Sequence, residues 1–220
     1  MDKLPPEEGA DTPAQRRRGR GRRPLADVRA DVLDAAAQLL MGEGLARFTV
    51  EKVITRSGVS SATVYKHWPS RGALALDAYV HAIGDEIAVR DTGDVRADLQ
   101  RMITAFIRMV TRHPSGPVFA QLVGAAQTDQ ELASQFDQHY FGPRRRETRA
   151  LLDAARRRGQ LRADADTALL VDLLWGACYI RLLLPNLTDS LTVEFGHAAV
   201  DSALLGAVET HEVTGGGNVR

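Results

Sequence analysis

The chain predicts an all-α protein, and three observations carry that prediction. Val28, Val32, Ala35, Ala36, Leu39 and Leu40 recur at helical spacing and form an amphipathic stripe. No stretch alternates apolar and polar residues as a half-buried strand would, and no internal repeat is present. Residues 44–74 are written as two short helices around a tight turn, with polar caps at the expected places.

At 220 residues, 44% of them hydrophobic, the chain can bury a sizeable core in one domain or two small ones. Its formal net charge of zero hides an asymmetry. Residues 14–72 hold twelve basic and five acidic residues, whereas residues 73–220 hold fifteen and nineteen. A basic part joined to a mildly acidic one is the electrostatic footprint of a nucleic-acid-binding head on a partner domain.

The elements follow in order. Residues 1–24 are rich in Pro, Gly and Arg and predict a disordered basic arm, because they hold too little apolar surface to offset the entropy of ordering. A solubilising tail is one reading of it. A DNA-contacting arm through Arg20, Arg22 and Arg23 is the favoured one, since flexible arginines can follow phosphates or enter a minor groove. The first helix is expected over about 27–42.

Thr49 then opens a helix whose apolar face is Val50, Val53 and Ile54. Ser57-Gly58 ends it, with Gly58 free to adopt positive φ. Ser60 caps a third helix over about 61–67 that is small and polar outward, as entry into a major groove requires. Trp68-Pro69 stops that helix. Ser70 caps a fourth, expected to reach Arg90.

From Asp94 onward the pattern is helical throughout. One helix is expected over 94–112 and another over 117–127. A third opens on a Thr128-x-x-Glu131 capping box. Pro143 should either kink or split it before it ends near Gly159. Two apolar helices follow, at about 166–184 and 191–209. The domain reading is therefore an arm (1–24), a helix-turn-helix head (25–85), a C-terminal domain (86–212) and a flexible tail (213–220).

The order of Gly44, Phe48-Thr49, Gly58-Val59-Ser60, Thr63-Val64-Tyr65, His67-Trp68 and Ser70-Arg71 resembles the TetR family of bacterial transcriptional regulators. The segments Ala120-Gln121, Gln127-Thr128-Asp129, Pro143-Arg144-Arg145 and Trp175-Gly176 are similar to one type of C-terminal domain in that family. The resemblance implies a homodimer whose first three helices bind DNA and whose C-terminal helices form a ligand pocket and the dimer interface. It places Ser61, Ala62 and Thr63 at base edges. It places Thr49, Lys52, Tyr65, Lys66, His67 and Arg71 against phosphates, with Arg71 where lysine is more usual and Trp68 where phenylalanine is common. The chemistry agrees: Ser and Thr hydroxyls read donors or acceptors, and methyl groups meet thymine. Tyr and Lys heads and helix N-termini suit phosphate. Trp68 and Val64 read as core.

Nothing points to an enzyme. The six histidines lack metal spacing, and nucleophile elbows, Walker loops and dinucleotide fingerprints are missing. No cofactor or metal is expected. The single cysteine, Cys178, reads as a buried structural thiol. No hydrophobic run suits a membrane span or secretory signal, so a cytoplasmic protein is expected. Met102, Phe106, Met109, Phe119, Trp175 and Tyr179 are candidates to line a pocket for a small hydrophobic or aromatic effector, although such residues at helical spacing also serve as plain core. The expected function is a repressor released from an inverted-repeat operator by that effector. The alternative is a DNA-binding regulator that is constitutive or partner-controlled. Sequence does not separate repressor from activator.

Overall fold

The first helix, α1 (Leu25–Glu43), lies across α4 (Arg71–Ile83), and α2 (Val50–Ser57) packs beneath it. A computed structural model describes residues 25–84, 89–112 and 114–207 of the protein, and every regular element among them is helical. Between α2 and α4 lies α3 (Ser61–His67). The C-terminal half holds α5 (Val95–Thr111), α6 (Ser115–Ala126), α7 (Gln130–Phe136), α8 (Gly142–Arg157), α9 (Thr167–Leu183) and α10 (Val193–Leu205). None of the described helices is long and apolar enough to cross a membrane.

The caps follow the sequence closely in the N-terminal half. Thr49 accepts the N–H of Lys52, Ser60 that of Thr63 and Ser70 that of Ala73, each satisfying a donor that the helix itself leaves open. Each such cap contributes about 1 kcal/mol. Gly58 stands at φ 67°, ψ 11°, so the chain turns left-handed and re-aims α3 across α2. Val64 and Trp68, one turn apart, are buried at 0% and 2% exposure and seat α3 on the head's core.

Two sequence expectations change, and a third, the kink or split at Pro143, takes a specific form. The fourth helix ends at Ile83 and does not reach Arg90 as a continuous helix: Gly84 takes φ 53°, ψ −148°, which no continuing helix permits. The capping box at Thr128 moves by one residue. Asp129 accepts the Leu132 N–H at 3.0 Å, and the Thr128 hydroxyl instead donates back to the Ala125 carbonyl. A carboxylate is the stronger cap at the positive end of a helix. Finally, Pro143 is accommodated by a wide π turn over Asp137–Phe141, in which the Gly142 N–H reaches back five residues to Asp137. This puts Pro143 in the first turn of α8, where its missing N–H costs no bond.

The two halves meet through α6 and α7, which both pack on α4, and α6 also reaches the turn after α1. Its Gln121 Oε1 accepts the backbone N–H of Leu45 at 2.8 Å. Across the C-terminal half, Phe119, Phe136 and Tyr140 form an aromatic core that Tyr179 joins to Phe106.

Candidate nucleic-acid interface and effector cavity

On α3, burial of Val64 leaves Ser61, Ala62, Tyr65 and Lys66 exposed. Thr63 and His67 are half-buried, and His67 lies edge-on to Trp68 at 5.8 Å. The Trp68 indole donates to Asp77 on α4 at 2.9 Å, and Arg29 of α1 reaches the same carboxylate while covering the indole face. α3 is thereby held against both α1 and α4. Arg71 is exposed at the first position of α4.

Several of the predicted contact residues already have partners. The Lys52 ammonium is 2.6 Å from Glu43 and donates to the Arg47 carbonyl at 3.0 Å. The Lys52–Glu43 hydrogen bond holds the Glu43 carboxyl below the usual carboxylate range. Ser60 and Thr63 share a hydroxyl hydrogen bond of 2.9 Å, so the Thr63 hydroxyl is turned toward the cap. The Tyr65 hydroxyl donates to Glu51 at 3.3 Å, and burial followed by that carboxylate raises its pKa. Glu43 and Glu51 were missed by sequence reasoning. Both lie within the basic stretch, and nothing in their spacing marks them as partners of Lys52 and Tyr65. Arg20, Arg22 and Arg23 lie outside the described residues.

In the C-terminal half a cavity of about 280 Å³ opens between α8 and α9. Phe141, Arg144 and Arg145 line one side, and Asp172, Trp175, Gly176 and Tyr179 the other. Trp175 and Tyr179 were predicted. Met102, Phe106, Met109 and Phe119 were too, but they do not line this cavity: all four are at most 2% exposed and belong to the packed core. Two of them, Phe106 and Phe119, stand behind the wall. Phe106 meets Trp175 and Tyr179 edge-on at 5.2 and 5.4 Å, and Phe119 stacks on Tyr179 at 5.8 Å. The missed residues had a legible signal on α9, since Asp172, Trp175 and Gly176, and Tyr179 fall on one helical face. Arg144 and Arg145 had none, because the π turn sets their direction.

Residues 32–78 match the family model described as bacterial regulatory proteins, tetR family. Residues 89–203 match the tetracyclin repressor-like C-terminal domain, which alone spans more than half of the chain. The chain belongs to the TetR family. It is 35% identical over 153 residues to the regulator YdeS of Bacillus subtilis, covering 70% of this chain and 77% of that one. It is 29% identical over 179 residues to the DNA-binding transcriptional repressor TetR of Mycobacteroides abscessus, covering 80% and 91%. The crystal structure of the TetR family regulator SCO0332 superposes with a TM-score of 0.73 at 48% identity, over 83% of this chain and 100% of that one. The protein is thus a helix-turn-helix transcriptional regulator.

TetR-family regulators bind DNA as dimers, and this chain has one conspicuous apolar face. On α9 the inward side is Leu170, Val171, Leu174, Trp175, Cys178 and Leu182. Leu169, Leu173 and Ile180, each more than half exposed, point outward. A shallow groove continues from Leu173 and Ala177 onto Phe195, Ala199 and Ala203 of α10. Cys178 is fully buried, and burial pushes its thiol up to about 12.

Proposed function

We propose that this TetR-family regulator is a repressor that binds an inverted repeat as a homodimer and is released when a small effector occupies the cavity between α8 and α9. The observation that carries the reading is the cavity itself. It is walled by aromatic rings, lies in a half with no catalytic constellation among its described residues, and adjoins the α9 face assigned to dimerisation. The abscessus relative named as a repressor supports the sign of regulation. The exposed surface of α9 and α10 supports the dimer, since a two-helix face doubled by symmetry forms a four-helix interface. Ser61 and Ala62 read bases, Lys66 and Arg71 anchor phosphates, and the arginine arm, outside the described residues, adds backbone contacts.

A ligand that favours one packing of α8 on α9 shifts the C-terminal helices. Because α6 touches both α9 and the turn at Leu45, the shift reaches the reading head. The test begins with an operator selected from random duplex DNA by the purified protein. Operator binding is then measured across a panel of small aromatic compounds, in parallel with a Gly176→Leu variant. No atom lies within 4 Å of a Cβ built at Gly176, so the larger side chain enters the cavity without a backbone clash. Release of the native protein but not of the variant is the expected result. Release of neither, by any compound that binds, favours the effector-free regulator.

A further inference from the structure

The charges around the cavity do not balance, and the imbalance names a ligand class. Arg145 is paired with Asp172 across the cavity rim. Arg144 is different. Among the described residues no carboxylate pairs with it, and its side chain makes one hydrogen bond, a long donation of 3.3 Å to the Tyr140 carbonyl. Its guanidinium lies 3.8 Å above the Tyr140 ring, and its Nε is buried without a hydrogen-bond partner. A guanidinium has five donors in a planar fork suited to a carboxylate, and a partly desolvated one without a counter-ion is costly.

The opposite wall is aromatic. Trp175 and Tyr179, one turn apart on α9, stack with centroids 5.9 Å apart and planes 20° from parallel. Phe141 stands edge-on to Tyr179 at 5.7 Å. Such a wall favours an aromatic ring in stacked or edge geometry. The volume of about 280 Å³ is nearly twice the roughly 150 Å³ of a cavity that holds benzene, which suits a body of one or two rings.

We propose that the cavity binds a planar aromatic carboxylate, with its ring against Trp175 and Tyr179 and its carboxylate on the guanidinium of Arg144. The assignment rests on the effector reading above and adds the ligand's charge and shape. Phe106 and Phe119 brace the wall from behind, so little ordering is needed on binding.

The test uses the full-length protein and calorimetric titration with 2-naphthoate, its neutral isostere 2-naphthamide, and decanoate. A charge-assisted bidentate contact predicts that naphthoate binds about tenfold to a hundredfold more tightly than the amide. Arg144→Gln should bring the two affinities together, and Arg144→Lys should restore part of the preference. Quenching of indole fluorescence, lost in Trp175→Phe, reports whether the ring sits at the proposed wall. Equal binding of carboxylate and amide, or binding of neither, overturns the proposal. Decanoate binding as tightly as naphthoate overturns its aromatic half. Operator release is measured separately: Arg144-dependent naphthoate binding that leaves the operator bound refutes the release reading and leaves this assignment standing.

Discussion

Gln121 of α6 accepts the backbone N–H of Leu45 at 2.8 Å, so one side chain of the C-terminal half completes the turn that launches the reading head. Gly44, beside it, stands at φ 74°, and a Cβ there would come within 3.2 Å of the same amide. Replacing Gln121 by Ala leaves a part-buried donor unpaired. The expected loss is about 1 kcal/mol, read as a melting temperature lower by about 2–4 °C for a chain of this size. Operator affinity should fall as well, because the turn loses its brace. An unchanged melting curve and unchanged operator affinity would show that the contact is idle.

Lys52 is engaged with Glu43 rather than free for phosphate. Glu43→Gln removes the competing carboxylate. DNA binding should tighten, and the log–log salt dependence should steepen by about 0.9 as one more counter-ion is released. Salt titrations of the native protein and the variant decide this, and parallel lines would mean that Lys52 does not meet the backbone.

Lys66 and Arg71 are exposed beside the reading surface, and neither reads a base in this assignment. Lys66→Ala and Arg71→Ala should each weaken binding to all duplexes and lower the salt slope by about 0.9. Ser61→Ala should instead alter which base is preferred at one operator position. Competition assays on singly substituted operators separate the two classes, and uniform effects from all three variants would undo the assignment.

The exposed α9 face predicts its own disruption. Leu173→Glu and Ile180→Glu place charges where more than half of each side chain is open in the single chain. The fold should persist, and sedimentation at micromolar concentration should shift from dimer to monomer. Loss of inverted-repeat binding should accompany that shift, since the two reading heads are no longer joined. A variant that sediments as the native dimer would move the interface elsewhere.

Cys178 sits inside α9 with its thiol pushed up to about 12 by burial. A raised acid pKa keeps the group protonated at pH 8, and the thiolate is the reactive form. The native protein should therefore resist a thiol reagent that modifies the denatured protein at once. Rapid labelling under native conditions would reveal that α9 opens.

Local order sufficed for most of what the sequence determined. The stripe of α1, the caps Thr49, Ser60 and Ser70, the turn at Gly58 and the burial of Val64 and Trp68 all depend on neighbours within a turn or two, so residue type and spacing state them directly. The reading surface followed, because it is whatever α3 leaves exposed once Val64 and Trp68 are buried. Tertiary structure decided everything that depends on which distant groups meet. Glu43 captures Lys52, and Gln121 finds Leu45 across 76 residues of chain. The cavity belongs to the same class. Met102, Phe106, Met109 and Phe119 share helical spacing with Trp175 and Tyr179, yet only the last two line it. Periodicity says that a side chain faces inward. Whether another side chain fills the space beyond it depends on how α5, α6, α8 and α9 pack together, and on a π turn at Pro143 that sets the direction of Arg144.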